Sequence, residues 1–294
     1  MERKFFPLVF FLIFFLSSSI YAQTWTQVNE DGFGDANNIM ACSMAVYNND
    51  LYVGARNDST GARVWRYDDP GWTQVNLDGF GDANNTRAPG MAVYNDRLYV
   101  GTRNDNTGAE VWEYDGSNWT QVNLDGFGDA NNIWAFSMAV YDDDLYVGTR
   151  NTNTGAEVWE YDGSNWTQVN LDGFVGDAHN TMALSMAVYN NRLYVGTRND
   201  STWAEVRRYD GPSTWTQVNV NGFGDPNNMW ALSMAVYNNR LYVGTANGNT
   251  GAEVWEMYMP PSPIPTLSQW GMIIFSLLLA GTAIFVLRRR LYAG

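Results

Sequence analysis

The stretch "MAVYDDDLYVGTRNTNTGAEVWEYDGSNWTQV", Met138 to Val169, decides the fold. Four short segments inside it, Met138–Tyr141, Leu145–Thr149, Ala156–Tyr161 and Trp166–Val169, are rich in β-branched and aromatic residues. "DDD", "NTNTG" and "DGSN" separate them, and Asp, Asn and Gly turn a chain tightly because they tolerate positive φ or bond to their own backbone. No helical period runs through the stretch. It therefore reads as one four-stranded antiparallel unit.

The unit recurs. Tryptophans at 25, 72, 119, 166 and 215 open near copies of its fourth strand, and "WTQVNLDGFGDANN" occurs letter for letter at Trp72–Asn85 and Trp119–Asn132. Four-stranded units repeating every 40–50 residues or so are the mark of propeller blades. A lone fourth-strand phrase, Trp25–Val28, opens the array, and the last unit stops after its third strand at Val254–Met257. Pairing the two completes a fifth blade and removes the exposed sheet edges. The expected fold is thus all-β, a closed five-bladed β-propeller over residues 23–258. A solenoid of the same units is the alternative, but it would need polar end caps, and no atypical terminal repeats are present. The architecture resembles that of tachylectin-type five-bladed lectins and, more loosely, kelch-type propellers. No binding motif carries over from either, so the resemblance implies fold alone. The third-strand tryptophans Trp65, Trp112, Trp159 and Trp255, and Trp25 with its equivalents, are expected to fill the space between blades. The glycine of "LYVG" is expected to permit close sheet packing or a bulge.

Both ends read as addressing segments. Arg3 and Lys4 precede an apolar run from Phe5 to Leu16 and small residues up to Ala22, the pattern of a secretory signal peptide over residues 1–22. Residues 259–270 form a Pro-rich linker, and 271–287 are apolar and just long enough to cross a bilayer as a transmembrane helix. Residues 288–294 form a basic cytoplasmic tail headed by Arg288, Arg289 and Arg290. "IPTLSQWGM", Ile264–Met272, followed by that span and the arginines, resembles the IPTL-CTERM sorting tail of bacterial envelope proteins. The resemblance implies cleavage by an exosortase-type enzyme, a membrane-anchored precursor, and delivery to the outer surface or beyond.

A formal net charge of −14 argues against nucleic acid as a partner, because phosphate binding needs a basic surface. Cys42 is the sole cysteine, so no internal disulfide forms and the core must hold the fold.

In such a blade, the loop leading to the next unit and the hairpin between strands two and three share one face. Binding is expected there, on loops carried by a rigid scaffold. "DGFGD" sets two carboxylates four residues apart, as in Asp31 with Asp35, Asp78 with Asp82 and Asp125 with Asp129. Amides such as Asn84 and Asn85 follow. These oxygens suit calcium, and the same residues make turns with no ion; both readings stand. Unit five has Asn221 in place of the first Asp, and unit four inserts Val175, so these would be the weakest metal sites.

Met40, Arg87, Trp134, Met182 and Trp230 occupy equivalent positions just before the first strands and would border the mouth of the ring. Trp134 and Trp230 are candidates to stack on sugars or on cationic groups. Trp203 replaces a hairpin glycine, and Arg207 replaces a third-strand tryptophan. Trp203 is a further candidate for ligand contact, with repacking against Arg207 the alternative. Arg56, Arg103, Arg150 and Arg198 are expected to pair with Glu110, Glu157 or Glu205 across the hairpin. Catalysis is not expected, since His179 is the lone histidine and the first strands, such as "SMAVYN", carry no acid. The sequence points to a secreted or surface binding module for a polyvalent target, glycan or surface protein. A structural envelope scaffold is the alternative.

Overall fold

The computed structural model describes residues 25–259, 271–280 and 284. Five antiparallel units follow one another. Unit one holds β1 (Asn38–Tyr47), β2 (Asp50–Asn57), β3 (Arg63–Asp68) and β4 (Gly71–Gln74). Unit two holds β5 (Asn85–Tyr94), β6 (Arg97–Asn104), β7 (Val111–Tyr114) and β8 (Trp119–Gln121). Unit three holds β9 (Trp134–Tyr141), β10 (Asp144–Arg150), β11 (Val158–Tyr161) and β12 (Trp166–Gln168). Unit four holds β13 (Asn180–Tyr189), β14 (Arg192–Asn199), β15 (Val206–Gly211) and β16 (Thr214–Gln217). Unit five has three strands, β17 (Trp230–Tyr237), β18 (Arg240–Ala246) and β19 (Val254–Met257). The first strand of each unit starts earlier than its alternation suggests, because the residue bordering the mouth already pairs in the sheet.

Local sequence explains each unit. The turns between first and second strands, such as Asn95-Asp96 and Asp142-Asp143, have positive φ at both residues. That is the backbone of a type I′ turn, which matches the twist of the strands it joins and which Asn and Asp tolerate. Second strands of units one to four are buried on both faces, as β6 shows from Leu98 to Thr102, so they read as continuous apolar runs, whereas burial alternates along β18.

The core is layered between units. Four buried clusters lie one at each junction of successive units, and Leu98, Leu145, Leu193 and Leu241 are wholly buried in them. Burying one such side chain contributes about 1.5–3 kcal/mol. Across three of the junctions a first-strand serine donates to the next unit: Ser43 to the Ala88 carbonyl at 2.7 Å, Ser137 to Ala183 at 2.7 Å and Ser185 to Ala231 at 2.8 Å. The "LYVG" glycines Gly54, Gly148 and Gly196 lie against the same alanines, and in unit two a Cβ on Gly101 would meet the equivalent Ala135 carbonyl oxygen at 2.4 Å. The paired first strand carries a register shift beside the glycine, as between Ala41 and Ser43. Close packing and a bulge therefore occur together.

The acidic phrase is the staple between units. In unit two, Gly79 and Phe80 both have positive φ, a conformation that strains a bulky residue. Burial of the ring offsets the strain: Phe80 stacks on Trp112 at 5.1 Å and meets Trp119 edge-on at 5.0 Å. Phe127 repeats this with Trp159 and Trp166. Trp119, Trp166 and Trp215 donate Nε1–H to the carbonyls of Val75, Val122 and Val169 in the preceding unit, each at 2.8 Å. The expected packing of tryptophans between units is what these contacts describe.

Ring closure departs from expectation. Trp25–Val28 is not a strand, Trp25 is 99% exposed, and β19 pairs only with β18. The physical reason is that this segment is held by unit one alone. Trp72 donates to the Val28 carbonyl at 2.8 Å and Phe33 stacks on Trp65 at 4.9 Å. It occupies the place a preceding unit's fourth strand would take, without that unit beside it. Met44 and Val46 of unit one and Val236 and Tyr237 of unit five are correspondingly exposed.

Residues 271–280 are helical, and no helix among the described residues is long and apolar enough to cross a membrane. The expected signal peptide, nearly all of the Pro-rich linker, most of the span beyond 280 and the basic tail lie outside the described residues.

Candidate functional site

Where the second strands of units two, three and four end, each meets the start of the next unit's first strand, whereas unit one forms a sheet of its own. Arg103 of β6 pairs with Trp134 of β9, Arg150 of β10 with Met182 of β13, and Arg198 of β14 with Trp230 of β17. These bridges carry the sheet from unit to unit. They also bring the divergent positions and the second-strand arginines onto one rim, on the face of the long loops.

Trp134 is the centre of this rim. The guanidinium carbons of Arg87, Arg103 and Arg150 lie 4.9, 5.2 and 5.4 Å from its ring centroid. Arg198 lies 4.9 Å from the ring of Trp230. A cation over an indole face gains about 0.5–2 kcal/mol. The predicted residues Arg87 and Trp134 are thus brought together, and Trp230 has its own arginine on the same rim.

The arginines do not pair as expected. Glu110 and Glu157 are engaged elsewhere: Glu110 accepts from Trp112 Nε1 and Asn85 Nδ2, each at 2.7 Å, and Glu157 accepts from Trp159 and Asn132. Burial pushes both carboxyls above the usual carboxylate range, against those hydrogen bonds. Glu205 takes Arg207, at 2.5 Å and buried with it, so Arg207 does the work of the tryptophan it replaces. The second-strand arginines instead bond to the aspartate two residues on: Arg56 to Asp58, Arg103 to Asp105, and Arg198 to Asp200 at 2.8 Å. The guanidinium beside each holds Asp58 and Asp105 below the usual range.

Two arginines have no such carboxylate. Unit three has Thr152 where the other units have Asp58, Asp105 or Asp200, which leaves Arg150 without one, and Arg87 is an extra arginine with none. Burial, then the neighbouring arginines, lowers the pKa of both. The Nε atoms of Arg87 and Arg150 and the Nε1 atoms of Trp134 and Trp230 are buried, with no hydrogen-bond partner among the described residues. Each buried donor left unpaired costs about 1–3 kcal/mol.

Trp203 stands apart from this rim. It sits in the hairpin after β14 at φ 71°, 37% exposed, with its Cβ against Gly222.

The acidic loops are engaged in their own hydrogen bonds. Asp82 accepts from the Asn84 backbone at 2.9 Å and from Asn104 Nδ2 at 3.0 Å, and Asp129 repeats this with Asn131 and Asn151. Asp78 accepts from Gln74 at 2.8 Å and pairs with Arg63, which also reaches Asp35. Asp125 accepts from Gln121, and Asp31 from Gln27. Asn85 is wholly buried; it donates to the Gly79 carbonyl and accepts from Asn104. Among the described residues no group of three or more His, Cys, Asp or Glu is placed to hold a metal. The phrase works here as a turn and a clasp.

Comparison with known proteins adds an address. The IPTL-CTERM motif is matched over residues 262–290. It marks an exported, cell-surface protein and implies processing by an exosortase-type enzyme. No curated protein matches the chain. Among solved structures it is similar to an alpha-L-arabinofuranosidase (CtGH43) from Clostridium thermocellum, at 16% identity, TM-score 0.41, over 78% of this chain and 93% of that one. It is similar to a xyloglucan PUL GH43B from Bacteroides ovatus, at 11% identity, TM-score 0.42, over 74% and 52%. It is also similar to the SapL1 lectin in complex with alpha methyl fucoside, at 14% identity, TM-score 0.41, over 78% and 100%. At these scores the likeness assigns no activity. It does correct one expectation: with GH43 proteins among the similar structures, the exclusion of catalysis drawn from the lone histidine and acid-free strands is withdrawn.

Proposed function

We propose that this chain is a surface-displayed binding module that recognises a polyvalent glycan through the long-loop rim. The observation that supports this best is the pair of indoles, Trp134 and Trp230, set among arginines, two of which lack the neighbouring aspartate that neutralises the others. An indole suits a sugar, and half-buried guanidinium groups suit its oxygens. Near-equivalent units would add avidity on a repeating target.

The rim belongs to a closed five-bladed propeller in this reading, with Trp25–Val28 as the fourth strand of the last blade. The repeated junction supports it. Ser233 and Gly244 of unit five match Ser185 and Gly196 of unit four, and Ser233 is exposed for want of a neighbour like unit one. Residues 1–22 direct export, and the span at 271–287 anchors the precursor until processing.

A glycan array probed with the full-length protein in detergent tests the reading. Selective binding should appear and be lost in the Trp134→Ala/Trp230→Ala double variant. Binding that survives in the double variant, or no glycan retained at all, sinks it.

A further inference from the structure

We propose that the cluster around Trp134 is a carboxylate-binding subsite for an acidic sugar, a uronate whose carboxylate is held by the guanidinium groups of Arg87 and Arg150. This rests on the reading of the rim as a glycan-binding surface and specifies the charge of the ligand.

The repeat itself supplies the comparison. In units one, two and four the second-strand arginine is neutralised by its own aspartate, so those positions are internally complete. In unit three Thr152 breaks the pattern and Arg150 keeps its charge. At the first-strand position units one and four carry Met40 and Met182, whereas unit two carries Arg87. Both departures converge on one indole, at 4.9 and 5.4 Å. The Nε atoms of the two guanidinium groups and the Trp134 Nε1 are buried without an acceptor. Those atoms are closed to solvent, so an anion would meet the rest of the two half-buried guanidinium groups, where it would offset the repulsion among the crowded arginines.

A guanidinium fork fits a planar carboxylate through paired N–H···O bonds. The chain carries a net charge of −14, so a run of phosphates is repelled from the surface while a single carboxylate at a local cationic spot is not. Trp134, stacked on Phe136 at 5.4 Å, holds the guanidinium groups in place.

The test uses full-length protein and titration with methyl glucuronoside, methyl glucoside and glucose 6-sulfate. The glucuronoside should bind at least about ten-fold tighter than the neutral glucoside, as expected for a charge-assisted bidentate contact. Thr152→Asp should build the arginine–aspartate pair of the other units and weaken glucuronoside binding by about ten-fold, and Arg87→Met should do the same. Both variants carry residues that sister units already accommodate, and Thr152 is exposed, so folding is preserved. Equal binding of glucuronoside and glucoside, both lost in Trp134→Ala, overturns the carboxylate and leaves the glycan surface standing. Equal or tighter binding of the sulfate ester overturns it in favour of a sulfated sugar. Binding of none of the three overturns this proposal and counts against the glycan reading with it.

Discussion

The packing between units can be tested by adding one methyl group at either of two glycines. A Cβ on Gly101 would lie 2.4 Å from the Ala135 carbonyl oxygen and 2.7 Å from its Cβ. Both belong to the next unit's backbone or its first side-chain atom, so neither can swing away and the two units must part. Overpacking of this kind costs about 1–3 kcal/mol, offset by about 0.4–1 kcal/mol from the stiffer unfolded chain. The expected net loss for Gly101→Ala is about 1–2 kcal/mol, and each kcal/mol lowers Tm by about 2–4 °C in a domain of this size. Gly244 is the informative partner. As the structure stands, a methyl there meets only the Ser233 hydroxyl, at 2.7 Å. In a closed ring Ala41 of unit one would lie against it as Ala135 lies against Gly101. Thermal and urea unfolding of both variants separates the cases. With the proposed closure, Gly244→Ala falls as far as Gly101→Ala; a neutral Gly244→Ala beside a destabilised Gly101→Ala means an open array. A neutral Gly101→Ala would refute the packing argument itself.

Two further perturbations address the odd unit and the buried acids. Trp203 holds φ 71° where Gly61, Gly108, Gly155 and Gly251 hold 98–104°; because it is partly exposed, Trp203→Gly should raise stability by about 1 kcal/mol in denaturant unfolding. A loss on that change would show that the indole packs more than its strain costs. Glu110 and Glu157 have raised pKa values in the folded state, so their contribution is full below the unfolded value and is lost as pH rises through the folded one. Asp58 and Asp105 have lowered values, and their contribution is lost as pH falls through the folded ones. Stability should therefore peak on the acid side of neutral and drop below about pH 4. Melts from pH 3 to 8 should show a flatter acid-side rise in Glu110→Gln/Glu157→Gln, and an unchanged profile would refute the assignment.

The strands were legible because their signals are local. Paired Asn and Asp residues at 95–96 and 142–143 announce type I′ turns, and the runs between them alternate or stay apolar as a sheet requires. The acidic phrase stayed ambiguous because Asp, Asn and Gly serve turns and metals alike. Its second asparagine, Asn85, reads as a loop amide, yet it is a wholly buried strut tied to Gly79, Asn104 and Glu110. The arginine partners were two residues away, in Asp58, Asp105 and Asp200, and the glutamates were already held by strand tryptophans. Aligning the repeats puts Arg87 and Trp134 at one position. That Arg103 and Arg150 also face Trp134 depends on the register between units, which no single repeat encodes.

Val175 lengthens the fourth loop by one residue and changes its turn. Asp177 still accepts from Asn199 at 3.0 Å, and Asn180 still reaches the Gly173 carbonyl at 3.1 Å. The anchors on either side of the insertion keep their partners, so the added length is absorbed at the surface. A scaffold with that tolerance lets its outer loops diverge in evolution while the strands beneath them stay the same.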